Sequence, residues 1–254
     1  MSGLIECARH NLIIAYLLLV RERLVPHAAS THEFVAAVFV ILKYRLVIFD
    51  SDGTLADTLP WMRSVFNELA QEHGFRRVEP HEDERFRHLH GNALLRELGL
   101  PLWKLPRVVT AMRRRMAEHT GQFSPFPGIS EALARLAAGG AQLAVVSSNS
   151  RENVERVLGA ENARLITHWA CGVSMLGKAA KLRQVVRQSG VPKEGAIYIG
   201  DELRDAEAAA KAGLAFGAVT WGQHGAEALR AQQPAEMFVT VQEMADRLCA
   251  SGAF

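Results

Sequence analysis

Cysteine is scarce in this sequence. Among 254 residues only Cys7, Cys171 and Cys249 carry a thiol. The count is odd and no pair stands at a metal-ligand spacing, which excludes a disulfide framework and a zinc ribbon as organising devices. A reducing, cytoplasmic setting is expected. Charge of one sign is also missing: 29 Lys and Arg against 27 Asp and Glu leave a formal +2. No broad basic field for nucleic acid follows from that, and Arg113-Arg114-Arg115 reads as a solvated helix face. Long apolar runs are absent. Leu12–Val20 and Phe34–Leu42 are apolar, but each falls well short of the roughly 20 residues that cross a bilayer. The first ten residues carry little positive charge, and Arg21-Glu22-Arg23 interrupts the region, so a secretion signal fits poorly. Residues 1–42 are set apart as an N-terminal extension. They read as an accessory helix packed on the domain, or as residues preceding a native start near residue 40.

What is present is an ordinary globular balance, 49% hydrophobic and 22% charged, enough to build a sizeable core. Short apolar runs with β-branched residues end abruptly in polar loops. Arg45–Phe49 runs into Asp50, Gln142–Val146 into Ser147-Ser148-Asn149, Ala196–Ile199 into Gly200-Asp201, and Ala215–Val219 into Thr220-Trp221-Gly222. A weaker strand is expected over His168–Gly172. Helical patterns lie between them over Gly128–Ala138, Glu152–Leu158, Ala179–Ser189 and Glu202–Ala212. Such alternation predicts an α/β fold, a Rossmann-like parallel sheet flanked by helices, with its chemistry at the carboxyl ends of the strands. Residues 58–123 break the rhythm. They contain no convincing strand and show helical periodicity over Trp61–Glu72, Glu84–Leu98 and Leu105–Glu118. A small helical cap inserted after the first strand is therefore expected, with the α/β core formed by residues 43–57 and 124–254.

Four elements carry chemistry. In Phe49-Asp50-Ser51-Asp52-Gly53-Thr54-Leu55 two carboxylates one residue apart end a buried strand, and on extended backbone both face the same way. A strand followed by an Asp-Gly turn explains Asp52 and Gly53. It does not explain Asp50, since an acid at a core strand's end costs desolvation without a partner. Gly200-Asp201-Glu202-Leu203-Arg204-Asp205 follows another core strand. Asp201 reads there as the cap of helix Glu202–Ala212, as a ligand, or as both. Asp50, Asp52, Asp201 and Asp205 gathered at neighbouring strand ends would repel one another. That repulsion calls for a cation, and hard oxygen ligands beside a phosphate select magnesium. Ser147-Ser148-Asn149 suits a phosphate held by a hydroxyl and backbone N–H groups, or else an ordinary helix cap by Asn149 or Ser150. Lys178 opens a helix, where a cation is locally unfavourable and a specific task is suggested; Lys181 shares its face and is the alternative.

In order and spacing, Asp50-Ser51-Asp52-Gly53-Thr54-Leu55, Ser147, Lys178 and Gly200-Asp201 with Asp205 resemble the four motifs of the haloacid dehalogenase superfamily. The resemblance spans about Arg45 to Leu248, and the insert looks like the helical cap of the phosphoglycolate-phosphatase-like branch. It implies a magnesium-dependent phosphatase. Asp50 would attack phosphorus and form an aspartyl-phosphate. Asp52 would serve as acid and then base. The metal would be held by Asp50, the Asp52 backbone carbonyl and Asp201. Thr54, Ser147, Ser148 and Lys178 would hold the phosphate, with support from Asp205 and Glu202. The expected partner is a small phosphorylated metabolite, which the resemblance makes phosphoglycolate-like, with neither nucleic acid nor membrane, and the expected state is monomer or homodimer. Cap contacts are sought in Arg87, His88 and His90 beside Gly91-Asn92, and rim contacts in Trp221 and His224. Two other functions share the fold: a phosphosugar mutase, and a binding module without catalysis.

Overall fold

The computed structural model describes residues 42–82, 85, 86, 89, 91–172 and 177–249. The expectations for residues 1–41 and for Arg87, His88 and His90 lie outside the described residues, as do the side chains of Gly91 and Asn92.

Six parallel strands form one sheet: β1 (Leu46–Phe49), β2 (Gln142–Val146), β3 (Ile166–Ala170), β4 (Ala196–Gly200), β5 (Ala215–Val219) and β6 (Glu236–Phe238), in the spatial order β3-β2-β1-β4-β5-β6. Helices α1 (Leu59–His73), α2 (Gly91–Glu97) and α3 (Leu105–Glu118) follow β1. Then come α4 (Ile129–Ala138), α5 (Arg151–Leu165), α6 (Lys178–Ser189), α7 (Leu203–Ala212), α8 (Ala226–Arg230) and α9 (Val241–Cys249). The expected α/β fold with a parallel sheet and flanking helices is the fold observed.

Strand alternation builds two apolar layers. Val47, Phe49, Leu143, Val145, Ile197 and Ile199 pack with α4, α5 and α9 through Leu133, Leu136, Leu158 and Met244. Leu46, Ile48, Ala144, Val146 and Tyr198 pack with α6 and α7 through Leu182, Val185, Ala206 and Ala209. β1, β2, β4 and β5 are thus buried on both faces, which is why each reads as a continuous apolar run rather than an alternation. The helical insert closes on its own cluster, in which Val65, Leu69, Phe75, Phe86, Leu95, Leu98 and Val108 meet.

Several bounds differ from expectation: of the helix expected over Glu84–Leu98, α2 occupies Gly91–Glu97, and Leu89 ahead of it is non-helical. β3 begins at Ile166, two residues before His168, because α5 runs into it without a turn to mark the change. Helix α5 extends past Leu158 to Leu165, but Gly159 within it is non-helical at φ 80° and ψ 159°, so the periodic pattern ends where the backbone breaks. Strand β6 has only three residues, Glu-Met-Phe, too few to establish a period.

The strand order positions the chemistry. The chain leaves β1 toward β2 and β3 on one side, then returns to add β4, β5 and β6 on the other. The direction reverses between β1 and β4, and such a reversal opens a crevice beyond the strand ends. Asp50 follows β1 and Asp201 follows β4, one on each lip.

Candidate active site

The β1 loop is a compact wrap around one carbonyl. Ser51 O accepts from Thr54 N, Leu55 N and Ala56 N at 3.3, 2.9 and 3.0 Å, while Gly53 N donates to Ala56 O at 2.9 Å. Gly53 sits at φ +78°, and a Cβ there would lie 2.3 Å from Asp201 Oδ2. Only glycine satisfies both constraints. The turn reading of Asp52-Gly53 is therefore true, and its purpose is to let Asp201 approach the β1 loop.

Asp50 is buried at 3% exposure. Its Oδ2 lies 3.2 Å from Lys178 Nζ. Burial pushes its carboxyl up to about 7, against the pull of Lys178. Asp52 is partly accessible. Its Oδ1 accepts from Thr58 Oγ1 at 2.9 Å, and Asn149 Nδ2 lies 3.4 and 3.3 Å from its two oxygens. Its carboxyl is also raised by desolvation, with the Thr58 and Asn149 hydrogen bonds working the other way.

Asp201 is fully buried. Thr54 Oγ1 donates to its Oδ1 at 2.7 Å and Gln223 N to its Oδ2 at 2.7 Å. Desolvation, followed by repulsion from Glu202, Asp205 and Asp50, holds its carboxyl well above the usual range. Gly222 makes room for it, since a Cβ there would fall 2.3 Å from Asp201 Cβ. Two corrections follow. Thr54, expected at the phosphate, has its one hydroxyl proton committed to Asp201. Asp201 is not the cap of α7: Glu202 takes that position, and its N–H donates to Asp205 Oδ2 at 3.1 Å.

Lys178 is the lysine that reaches the carboxylates, while Lys181 donates to Gln184 Oε1 at 3.0 Å. Lys178 Nζ donates to Asp205 Oδ1 at 2.6 Å. Burial opposes its charge, but Asp205 and Asp50 outweigh burial and keep its pKa above the ordinary value. Asp205 Oδ1 also accepts from Tyr198 Oη at 3.0 Å. Despite burial, Lys178 and Arg204 hold the Asp205 carboxyl below its ordinary value. Asp205 thus fixes the lysine, and Tyr198 fixes Asp205. Glu202 is ion-paired with Arg204.

Ser147 and Asn149 are buried. Ser147 Oγ accepts from Asn149 N at 3.0 Å, and Asn149 O accepts from Gly172 N at 2.6 Å. The cap of α5 is Ser150, whose Oγ accepts from Asn153 N at 3.2 Å. Asn149 is therefore free of capping duty, and its side chain turns to Asp52. The insert touches this loop: Arg113 donates to Ser148 O, Asn153 Nδ2 donates to Arg113 O at 3.1 Å, and Asn149 Nδ2 lies 2.8 Å from Met116 Sδ. Trp221 packs on Phe126 and donates from Nε1 to Thr54 O at 3.1 Å, bracing the β1 loop.

Asp50, Asp201 and Asp205 each offer an oxygen, all within 4.8 Å of one another. Asp205 joins this group, whereas the Asp52 side chain is drawn aside to Thr58 and Asn149. With Lys178 the only cation in contact with the group among the described residues, three carboxylates and one ammonium sum to −2. Burial raises the Asp201 carboxyl most, and repulsion from Glu202, Asp205 and Asp50 adds to it. A hard divalent ion with oxygen preference fits such a set.

Sequence reasoning passed over Asn149 as a partner of Asp52, and it passed over Tyr198. The latter had a signal: a hydroxyl in the otherwise apolar Ala196-Ile197-Tyr198-Ile199 needs a buried partner.

The fold and site define a hydrolase with an acidic crevice, and comparison with known proteins agrees. Residues 47–219 match the family model of haloacid dehalogenase-like hydrolases, and the chain belongs to that family. Within it, the chain falls in the phosphoglycolate-phosphatase-like branch and is a phosphoric monoester hydrolase. It is 32% identical over 201 residues to the phosphoglycolate phosphatase of Synechococcus elongatus, covering 79% of this chain and 95% of that one. It is 29% identical over 193 residues to the N-acetylmuramic acid 6-phosphate phosphatase of Pseudomonas aeruginosa, covering 71% and 84%. Among solved structures, a haloacid dehalogenase-like hydrolase from Streptococcus pneumoniae superposes at TM-score 0.65 with 21% identity, covering 80% of this chain and 97% of that one. CbbY from Rhodobacter sphaeroides, solved with phosphate, superposes at 0.59 with 24% identity, covering 79% and 96%. Among the described residues no helix is long and apolar enough to cross a membrane.

Proposed function

We propose that the chain hydrolyses small phosphomonoesters in two steps through an aspartyl-phosphate on Asp50, with magnesium as its cofactor. The observation that carries this reading is the divergence of the two β1 carboxylates. Asp50 turns to Lys178 and the acidic group, while Asp52 turns to Thr58 and Asn149.

In the first step an Asp50 oxygen attacks phosphorus, the ester P–O bond breaks, and the leaving alkoxide takes a proton from Asp52. In the second, Asp52, now a carboxylate, takes a proton from water. That water oxygen attacks phosphorus, and the Asp50–P bond breaks to release inorganic phosphate. The raised Asp52 carboxyl suits the acid of the first step. Lys178 and the Ser147 hydroxyl hold phosphoryl oxygens, where charge accumulates in the transition state. Asp205 and Tyr198 keep the lysine in place, and Thr54 and Gln223 keep Asp201 in place. Asp50, Asp201 and the Asp52 backbone carbonyl would hold magnesium, with Asp205 adjoining. Once bound, the ion supplies charge that offsets the repulsion between an anionic nucleophile and an anionic ester. Residues 58–123 would act as a cap whose closure excludes water.

The test is phosphate release from a panel of small esters with and without magnesium, comparing the native chain with Asp50→Asn. Magnesium-dependent release that disappears in the variant is the expected result. Isomerisation of a phosphosugar without phosphate release would replace this reading with a mutase. Release that persists in Asp50→Asn would remove Asp50 as nucleophile.

A further inference from the structure

A cavity of about 500 Å³ lies between the helical insert and the core. Its insert side is mainly apolar, with Met62, Phe66, Val78, Phe86, Leu94 and Met112. Its core side is polar, with Glu202, Arg204, Gln223 and His224. The core side adjoins the acidic crevice: Gln223 N donates to Asp201 Oδ2 at 2.7 Å, and Glu202 directly follows Asp201 in the chain. A molecule with its phosphate at Asp50 therefore has this cavity in front of its remaining atoms.

The cavity is built. Asn67 in α1 clasps Val78 by both backbone groups, donating to Val78 O and accepting from Val78 N, each at 2.8 Å. This fixes the wall beside α1. Phe66 packs edge-on against Phe75. The size lies within the range of ligand sites that enclose a body of many atoms. A two-carbon acid phosphate would reach only the polar core side and leave the apolar insert side unfilled. The described lining has two guanidinium groups to meet its carboxylate. Arg204 is paired with Glu202, and Arg63 reaches Gln223 Oε1 at 3.5 Å.

We infer that the cavity takes the organic part of the substrate, and that this part is an extended apolar body. The substrate class is then the phosphomonoester of an alcohol with a hydrocarbon chain or ring, not a short acid such as phosphoglycolate. The inference rests on the phosphatase reading for its chemistry, but not for its binding.

Two measurements separate the readings. The first is kcat/KM for phosphate release from ethyl, butyl, hexyl and octyl phosphate and from phosphoglycolate. The alkyl leaving groups are alike in acidity, so differences report binding. Burial of each methylene is worth about fourfold, so kcat/KM rises by about that factor per carbon until the cavity is full, and phosphoglycolate falls below hexyl phosphate. Met112→Trp, which fills part of the cavity, moves the optimum to a shorter chain. The second is calorimetric binding of methyl-, butyl- and hexylphosphonate in the presence of magnesium, which needs no turnover. A flat or falling series in either measurement, or phosphoglycolate preferred over every alkyl ester, overturns the inference and leaves the phosphatase reading standing. Length-dependent phosphonate binding with no ester hydrolysed supports the inference and overturns the phosphatase reading.

Discussion

Replacing Asp50 by Asn is expected to abolish turnover and, in the absence of divalent metal, to stabilise the fold. The site carries three buried carboxylates against one ammonium, and the Asp50 carboxyl is pushed from 3.8 to about 7, chiefly by burial. A carboxyl raised in the folded state binds its proton more tightly there than in the unfolded chain. Its contribution is full below the unfolded value of 3.8 and is lost as pH rises through about 7. The difference of roughly three pKa units corresponds to a cost on the order of 4 kcal/mol for holding Asp50 ionised at pH 8. Asn has the same shape and no charge, so Asp50→Asn removes that cost at pH 8 and changes little at pH 4. For a chain of this size the gain in Tm is about ten degrees. The assay is thermal unfolding in chelator across pH 4 to 8, for native protein and variant. Added magnesium should stabilise the native protein strongly and the variant less, because the variant has lost one ligand charge. A variant no more stable than native at pH 8, or equally stabilised at pH 4 and pH 8, would refute the account of Asp50 as a buried charge whose desolvation outweighs its pairing with Lys178.

Asn149→Ala removes the amide that reaches Asp52. A hydrogen bond to a charged group is worth about 2 kcal/mol, so kcat should fall by roughly thirtyfold. Because Asn149 works to lower the Asp52 carboxyl, the limb of the pH–rate profile set by Asp52 should shift to higher pH. Gly222→Ala drives a Cβ into Asp201; magnesium titration of activity should show apparent affinity weakened at least tenfold while far-ultraviolet circular dichroism stays native. Asp205→Asn loosens Lys178 without touching phosphate, and steady-state kinetics should register it as a fall in kcat that exceeds the change in KM. Arg113→Ala breaks the insert's tie to the Ser148 carbonyl, and hydrogen exchange should quicken in α3 and in the 147–150 loop together.

Much of this was legible in the chain, for physical reasons that can be stated residue by residue. Val47, Ile48 and Phe49 form a strand buried on both faces, and such strands announce themselves as unbroken apolar runs. Asp50 announced itself because nothing in an apolar strand end accounts for a carboxylate. The partnerships across the crevice were not legible. The family resemblance implies a phosphate contact for Thr54, which becomes an Asp201 clamp only when β4 is brought beside β1. The same holds for Tyr198, whose hydroxyl finds Asp205 seven residues on, and for Asn149, whose choice between capping α5 and steering Asp52 depends on Ser150 having taken the cap. Short β6 was hidden because three residues carry no period.

The two β1 carboxylates are made different by what lies around them rather than by where they stand in the chain. Both follow the same strand, one residue apart, and both are raised by burial. Asp50 has an ammonium within 3.2 Å and two further acids within reach of a shared cation. It is poised to be an anion once that cation is present, as a nucleophile must be. Among the described residues Asp52 has only neutral donors, Thr58 and Asn149, so added positive charge on the far side of Asp50 acts on it less. It can keep a proton under conditions in which Asp50 has lost one, as a general acid must. One of those neutral donors, Asn149, also touches Met116 of the insert. Among the described residues, the insert therefore bears on the acid rather than on the nucleophile. This asymmetry predicts that changes in the insert will appear first in the pH dependence and rate of leaving-group departure. With an aryl phosphate, whose leaving group needs little protonation, Met116→Ala should cost much less than with an alkyl phosphate. Equal losses on the two esters would show that the insert acts on both steps alike, and the division of roles argued from Asn149 would be wrong.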